Sequence, residues 1–341
     1  MTPRERVLAQ LEHHETDFVP YARLGFEGDV ADRLDAYYGG PAWRDKVCNH
    51  IRQVPGLYDG MDFGEGPRFR DPFGTLWRTD LRPFHLEEPG LDEPDLDGYP
   101  FPSAKDLFRK EWQQLALDEI EQNQDTFLVV GFGFGLFERT WAIRGFENVL
   151  TDSIAQPEFY AALVERVAAL QMDMIAGLVE LPVDGIMFSD DWGGQRGVLL
   201  GPQGWRKYMK PHLAKMYEMV HKAGKWTLSH CCGNVKDVVP DLIEIGLDCL
   251  QSVQPEAMDP YELKRLYGSH ITFWGGLGSQ RTVPFGSPGE IRAEVRRLCE
   301  EMGRGCGYIL GPAKALQPET PTENAVAVVE AFIEQTGQAI H

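Results

Sequence analysis

Short apolar runs recur along the chain and alternate with longer stretches whose apolar residues follow a helical spacing. These runs predict strands at Phe18–Leu24, Phe127–Gly133, Gly185–Ser189, Trp226–Ser229, Asp248–Val253, Ile271–Gly275 and Tyr308–Gly311. From Phe127 onward the order is strand, helix, strand, which is typical of a parallel sheet with helical crossovers.

An eighth strand is expected near Ile51–Leu57 or elsewhere before residue 127. Polar residues follow many of the predicted strands rather than gathering at one switch point, which favours a (β/α)8 TIM barrel over a doubly wound sheet. We therefore predict one α/β barrel domain spanning residues 1–341.

Four helix starts share one pattern, in which a capping residue is followed by proline and, two residues later, by glutamate. It occurs at Thr2, Asp259, Ser287 and Thr320. Such a pattern satisfies the free N–H groups of the first helical turn. Glycine is typical just after a helix, so two of these helices are expected to end at Gly268 and Gly303.

Residues 59–105 differ from the rest because they are rich in Gly, Pro, Asp and aromatic residues. Within them, Phe73 to Thr79 is compatible with half of a hairpin, and Pro89 to Pro102 with an irregular loop. We interpret this segment as an insertion over the barrel mouth and not as a separate domain.

Composition narrows the function classes. The formal net charge of -19 disfavours nucleic acid and anionic membranes as partners. No apolar run is long enough to span a bilayer, and the first residues, MTPRERVLAQLEH, predict an amphipathic helix rather than a signal peptide. Cytoplasm is therefore the expected location, and the six scattered cysteines are expected to be reduced thiols.

His230 and Cys232 follow a predicted strand and lie two positions apart, so both side chains project to the same side. Histidine and a cysteine thiolate suit zinc. Two ligands do not make a site, however, and on spacing alone a partly buried histidine beside a small apolar cysteine is slightly favoured.

The sequence Asp190-Asp191-Trp192-Gly193-Gly194-Gln195 also follows a strand-like run. Adjacent acids at such a position often provide a helix cap and a solvated charge. At a barrel mouth they are suited to binding a cation, holding a ring nitrogen or acting as acid and base, and we favour such a role here.

Three further places are candidates for substrate contacts. Glu138 and Arg139 follow a run of alternating Gly and Phe, and the arginine suits either a substrate carboxylate or a structural ion pair. Trp274 precedes a glycine-rich turn that fits a ligand or a plain turn equally. Lys314 follows the last strand, where a lysine has a better than usual chance of facing the site.

Together, the segments GFGLFERTWAIRGFENVLTD, VDGIMFSDDWG, LSHCCGNVKDVVPDLIEIGLDCLQSVQPEAMDP, ITFWGGLGSQRTVPFGSP and GYILGPAKALQPETPTEN resemble the uroporphyrinogen decarboxylase superfamily. That superfamily includes corrinoid-dependent methyltransferases, among them methylcobalamin:coenzyme M methyltransferases. The resemblance implies a (β/α)8 barrel with its active site at the C-terminal mouth.

The two branches of the superfamily imply different chemistry. The decarboxylases use no metal or organic cofactor and bind an acidic tetrapyrrole through N-terminal arginines, of which this chain offers Arg23. The methyltransferases bind zinc through H-x-C and a later cysteine. His230 and Cys232 match the first two ligands, but Lys314 stands at the third position, and Cys306 lies too far back along the strand.

Three completions of the site remain open. A carboxylate such as Glu256 or Asp191 is one possible third zinc ligand. Alternatively, no metal binds and His230 is an acid or base. In the third case Lys314 transfers protons or binds an anion, if burial lowers its pKa.

The leading hypothesis is a methyltransferase or demethylase that moves a methyl group between a small substrate and a corrinoid carrier protein or folate-type acceptor. In this hypothesis His230, Cys232 and a carboxylate hold zinc, Asp190 and Asp191 lie beside it, and the pocket is lined by Glu138, Arg139, Trp192, Gln195 and Trp274.

The runner-up is a metal-free decarboxylase in which Arg23, Arg139 and Lys314 bind a carboxylated substrate. In this hypothesis Asp190 or Asp191 transfers the protons. A third hypothesis is a ligand-binding barrel without catalysis. The oligomeric state stays open.

Overall fold

A computed structural model describes residues 1–22, 25–58, 66–80 and 85–338 of the chain. The strands in chain order are β1 Ile51–Val54, β2 Arg68–Arg70, β3 Leu76–Arg78, β4 His85–Glu88, β5 Phe127–Phe134, β6 Gly185–Ser189, β7 Gly193–Gly194, β8 Gly197–Val198, β9 Trp226–His230, β10 Cys249–Val253, β11 Thr272–Leu277 and β12 Tyr308–Pro312.

The helices in chain order are α1 Pro3–Leu11, α2 Val30–Tyr38, α3 Ala104–Leu107, α4 Lys110–Gln122, α5 Leu136–Arg144, α6 Phe146–Ala155, α7 Pro157–Leu178, α8 Gly201–Tyr208, α9 Lys210–Lys222, α10 Val239–Glu244, α11 Pro260–Tyr267, α12 Thr282–Phe285, α13 Pro288–Arg297 and α14 Thr322–Glu334. In the described part of the chain, none of them combines the length and apolar character needed to cross a bilayer.

Seven strands form one parallel sheet in the order β1-β5-β6-β9-β10-β11-β12. The sheet is curled, because one face of all seven strands contributes to a single apolar cluster. Val7 and Leu11 of α1 belong to the same cluster, which places that helix against the inside of the curl. The opposite face packs against the helices, so the chain is an α/β protein with a barrel-like parallel sheet.

The strand predictions from Phe127 onward are confirmed, and the strand expected near Ile51–Leu57 is present as β1. Of the candidate Phe18–Leu24, the described part contains one bridge, from Tyr21 to Leu310. Pro20 limits further pairing because it has no N–H group. Residues 23 and 24 lie outside the described part, and a closed eight-stranded barrel stays a prediction.

The predicted helix starts at Thr2 and Ser287 are confirmed, each with a reciprocal capping box. Asp259 also caps its helix, since its carboxylate accepts from the N–H groups of two following residues. The helix predicted to start at Thr320 is present as α14, but it begins one residue later than expected. Pro321 keeps an extended backbone with a ψ of 145°, so α14 begins only after it.

Half of a hairpin was expected within Phe73 to Thr79, and this expectation is confirmed by β3, the central strand of a small antiparallel sheet, β2-β3-β4. Asp71 organises its turn: the carboxylate accepts from Phe73 N and Thr75 N at 2.9 and 3.0 Å. Its other oxygen lies 3.3 Å from the guanidinium of Arg139 on α5. This buried ion pair joins the small sheet to the helix that follows β5.

His50 joins the segment around Tyr21 to the sheet. Its N–H donates to Tyr21 O at 2.9 Å, and its Nδ1 accepts from Tyr21 N at 3.1 Å. Its carbonyl accepts from Phe127 N, the first residue of β5. The ring is 3% exposed, and burial lowers the pKa of His50 to about 4.

We expect an Asp71→Ala variant to lower the free energy of unfolding by about 3 kcal/mol, because it leaves the Arg139 charge buried and unpaired. Urea denaturation measures the loss. The matched control is Asp80→Ala, which removes the exposed ion pair with Arg78 on the same small sheet. Equal losses in the two variants would contradict the anchoring role of Asp71.

The low pKa of His50 makes stability depend on pH. The neutral ring is favoured in the folded state, so its contribution is complete above the unfolded pKa of about 6.5 and is lost as pH falls toward about 4. Between about pH 7 and about pH 5, wild type should lose about 2 kcal/mol more unfolding free energy than His50→Asn. Parallel pH dependences of the two proteins in urea denaturation would rule this out.

Candidate active site

Two loops meet at the C-terminal ends of β6 and β9. The strands pair in register, with Ser189 opposite His230. A Cβ on Gly193 would lie 2.3 Å from the carbonyl oxygen of Cys232, and Gly233 has a φ of +80°. Glycine at both positions therefore lets the loop containing Asp191 contact the loop containing Cys232.

Asp191, His230 and Cys232 form one cluster, in which one ligand-capable atom from each lies within 4.8 Å of the others. The His230 Nε2 atom is 3.4 Å from Cys232 Sγ and 3.6 Å from Asp191 Oδ1. The same carboxylate oxygen accepts from Cys232 N at 2.8 Å. The backbone of one potential ligand thus positions the side chain of another.

Gln251 orients the His230 ring. The two residues are neighbours in the β9–β10 ladder, and His230 Nδ1 contacts Gln251 Oε1. Because an amide oxygen accepts only, Nδ1 is the protonated nitrogen, and the lone pair of Nε2 faces Cys232 and Asp191. Metal-bound histidines are generally held by a hydrogen bond of this kind at their other nitrogen.

The cluster fits zinc in donor type and in spacing. Imidazole nitrogen, thiolate sulfur and carboxylate oxygen are the ordinary zinc ligands, and their bond lengths place tetrahedral ligand atoms about 3.3 to 3.6 Å apart. The measured separations of 3.4 and 3.6 Å agree with that geometry. Three protein ligands and an open fourth position are typical of catalytic rather than structural zinc.

Asp190 has a different environment from its neighbour. Its carboxylate accepts from Phe137 N at 2.9 Å and Glu138 N at 2.8 Å, at the start of α5. Burial raises its pKa to about 7, although these two hydrogen bonds act in the opposite direction. Both oxygens are occupied by the helix, so the structure ties Asp190 to α5.

Glu138 lies next to these acids and is half-buried. Burial and the charges of Asp190 and Asp191 raise its pKa well above the usual range. The raised pKa of Glu138 disfavours a third negative charge beside the two aspartates.

A cavity of about 520 Å³ reaches the cluster through His230. Ser189 and Trp274 also line it, together with apolar side chains from inside the curled sheet. This volume suits a small molecule. Of the predicted substrate contacts, the structure places Trp274 in the wall of this cavity.

Other predicted contacts lie elsewhere. Trp192 is 1% exposed and packs edge-on against Trp205, with ring centroids 5.6 Å apart, so it belongs to the core. Gln195 is exposed in the turn between β7 and β8. Arg139 is held by Asp71 and lies 3.9 Å from the ring centre of Phe73, which makes it a structural ion pair.

The other residues predicted to complete the site do not lie in the cluster of Asp191, His230 and Cys232, as far as the structure describes them. Glu256 accepts from Gln280 N and Arg281 N at 2.9 and 3.0 Å, and it is not part of the cluster. Lys314 is exposed, so the burial that its proposed acid–base role required is absent. Arg23 lies outside the described residues.

Gln251 is the site residue that sequence reasoning missed. In the sequence, Gln251 is marked only as a single amide within the apolar run CLQSV, the strand that follows the His-x-Cys segment. The alternation of strand faces gave its side, but its pairing with His230 depends on the ladder register.

Comparison with known proteins adds to this geometry. The family model described as uroporphyrinogen decarboxylase (URO-D) matches residues 95–335. The uroporphyrinogen decarboxylase of Geobacter sulfurreducens is 24% identical over 277 residues, covering 79% of this chain and 73% of that protein. That of Geotalea daltonii is 25% identical over 279 residues, with the same coverage.

A solved structure, a methyltransferase from Methanosarcina mazei, is 21% identical and covers 98% of this chain and 99% of its own, with a TM-score of 0.74. At this identity the likeness concerns the fold alone. The family match spans more than half of the chain and agrees with the parallel α/β sheet. The chain therefore belongs to the uroporphyrinogen decarboxylase (URO-D) family, a family of enzymes.

Proposed function

We propose that this protein is a methyltransferase or demethylase that binds zinc at Asp191, His230 and Cys232. The observation that carries the proposal is the cluster itself, because a histidine nitrogen, a thiol and a carboxylate converge within 4.8 Å beside a cavity. A methyltransferase from Methanosarcina mazei shares this fold, so methyl transfer is one activity that the fold accommodates.

Zinc held there would act as a Lewis acid on the heteroatom that carries or receives the methyl group. Gln251 keeps the His230 lone pair directed at the cluster. Cys232 supplies the thiolate, and its backbone N–H holds the Asp191 carboxylate in place. Asp190 fixes the start of α5 and thereby the position of Glu138.

In the proposed transfer, the bond between the methyl carbon and the substrate heteroatom breaks, and the electron pair stays on the heteroatom. The methyl group passes to a nucleophile, either a reduced corrinoid on a carrier protein or a folate-type acceptor. A proton then neutralises the heteroatom. The reverse direction uses the same bonds.

The alternative is a decarboxylase, which the names of the sequence relatives favour. A tetrapyrrole rich in carboxylates needs several cations in its site. Among the cavity residues that the structure describes, the cation is Arg52, and it is paired with Glu119. That pairing supports methyl transfer over decarboxylation of a polyanion.

We further propose that the segment around Tyr21 completes an eight-stranded barrel between β12 and β1. The supporting contacts are hydrogen bonds from Ala22 N to Leu310 O and from His50 N to Tyr21 O, each 2.9 Å long. They connect the two edges of the seven-stranded sheet.

Metal analysis tests the site. We expect about one zinc per purified chain, and loss of that metal in His230→Ala, Cys232→Ser and Asp191→Asn variants. The control is Cys231→Ala, because Cys231 is buried and its thiol points to the carbonyl oxygen of Cys232. A wild-type protein without zinc, after purification without chelators and with zinc supplied, would refute the metal site.

Methyl transfer itself is tested with methylcobalamin. Absorbance spectra of the corrinoid should change when the zinc-loaded protein and a methyl acceptor are present together, and the change should be lost in Cys232→Ser. Release of carbon dioxide from uroporphyrinogen without any spectral change would favour the decarboxylase. The absence of both activities would favour a ligand-binding protein without catalysis.

A Gln251→Ala variant tests the orientation of His230. Loss of the hydrogen bond at Nδ1 should weaken zinc binding by about 10- to 100-fold, measured by competition with a chromophoric chelator. Ser252→Ala is the matched control, because Ser252 is also buried on β10 but its hydroxyl has no hydrogen-bond partner in the described part of the chain. Unchanged affinity in Gln251→Ala would show that Gln251 does not orient the ligand.

A further inference from the structure

Gln53 on β1 is a cavity residue that the proposed zinc site does not use. It lines the cavity and is exposed, whereas Ile51 and Val54 on the same strand are buried. Side chains alternate along a strand, so Gln53 projects to the same side as Ile51, which belongs to the apolar cluster inside the curled sheet. An uncharged, accessible amide therefore lies inside the curl.

The Gln53 side chain extends over the neighbouring strand. Gln53 pairs with Val129 in the β1–β5 ladder, and Gly131 follows two residues later on β5. A Cβ at Gly131 would lie 3.6 Å from Gln53 Nε2 and 3.2 Å from Met187 O. The Gln53 amide is therefore located over the inner face of β5, between β1 and β6.

Gln53 and His230 belong to two successive levels of the same cavity. Met187, which pairs with Gly131, is at the level of the Gln53 amide. Ser189 follows two residues later and pairs with His230. Residues two apart on one face of a strand are separated by about 7 Å. A ligand with the length of a substituted ring can therefore reach from Gln53 to Ser189, and both residues line the cavity.

The charged side chains of the cavity lining project to the other side of β1. Arg52 directly precedes Gln53, so it points away from the inside of the sheet, where it forms an ion pair with Glu119 of α4. Within the described lining, His230 is the titratable residue that remains on the inner side. The group that faces a ligand at Gln53 is thus a neutral amide.

The chemistry of this amide decides which ligand group satisfies it. Nε2 donates and Oε1 accepts, and neither has a hydrogen-bond partner among the described residues. A carboxamide on the ligand supplies both complementary atoms. A carboxylate supplies acceptors alone and leaves Oε1 facing a negative charge.

We infer that Gln53 determines the specificity of the cavity by binding an uncharged end group that has both a donor and an acceptor, of which a carboxamide is the simplest example. The opposite end of the ligand lies at Ser189, beside His230. Its apolar body lies against Val129 and Met187, which are at most 5% exposed. As a statement about the methyl donor, this inference rests on the proposed function. The preference for a carboxamide depends on the cavity alone.

Ligand-observed NMR titrations of the full chain compare three ligands that share one ring. Benzamide has a donor and an acceptor, acetophenone has only the acceptor, and benzoate has acceptors with a negative charge. We expect wild type to bind benzamide about fivefold more tightly than acetophenone, for one additional hydrogen bond, and more tightly than benzoate.

Gln53→Leu removes the amide and keeps a side chain of similar size. The ratio of the benzamide and acetophenone affinities should fall about fivefold in this variant, because the desolvation of each free ligand is the same for both proteins. Gln195→Leu is the matched control, since Gln195 is an exposed glutamine outside the described cavity lining. It should leave the ratio unchanged.

Two further measurements place the contact at Gln53 itself. In isotopically labelled wild type, the side-chain amide resonance that is missing from Gln53→Leu should shift when benzamide is added. Gln53→Glu keeps the shape and introduces a carboxylate, which pairs with an amidinium group. The affinity of benzamidine relative to benzamide should therefore rise about tenfold over that of wild type.

An unchanged affinity ratio in Gln53→Leu, tighter binding of benzoate than of benzamide by wild type, or no binding of any of these ligands would overturn the inference. Titrations of the metal-free and the zinc-loaded chain separate this result from the proposed function. A preference for benzamide that depends on Gln53, in a chain that binds no zinc, refutes the zinc mechanism and leaves the inference standing. Zinc binding without that preference refutes the inference and leaves the zinc site standing.

Discussion

The hydrogen-bond register of the parallel sheet is the constraint on which the site depends. It places Ser189 opposite His230, His230 opposite Gln251, and Gln251 opposite Trp274. In a parallel ladder, paired residues project to the same side, so this row faces the inside of the curled sheet. A slip of one residue in β10 would turn Gln251 outward and leave His230 without the partner that orients it.

The two adjacent acids after β6, Asp190 and Asp191, have different roles because their side chains point to different neighbours. Asp190 turns toward α5, where its two carboxylate oxygens accept hydrogen bonds from two backbone N–H groups. Asp191 turns toward β9, where Cys232 N and the His230 ring meet its carboxylate. Burial and the charges of both aspartates raise the pKa of the neighbouring Glu138, which disfavours a third negative charge at this place. The acid that completes the cluster is therefore the one that the helix leaves available.

The same division between anchoring and site groups applies to the basic residues. Arg139 is buried but serves the small antiparallel sheet through Asp71. Arg52 lines the cavity but is paired with Glu119. Lys314 follows the last strand of the sheet and is exposed. Each of these three cations is therefore either paired within the protein or exposed, although the sequence places all of them near strand ends.

The sequence by itself determined the α/β class, most strands of the sheet, two complete capping boxes and the His230–Cys232 pair, because these follow from local periodicity and from spacing along a single strand. It also named Asp191 among the possible third ligands, but it favoured Glu256. Only the tertiary structure shows that Asp191, and not Glu256, lies beside His230 and Cys232, because this contact depends on Gly193 and Gly233 allowing two distant loops to touch. Glu256 is instead held by the backbone at Gln280 and Arg281. Such contacts join residues far apart in sequence, and no local pattern of polar and apolar residues encodes them.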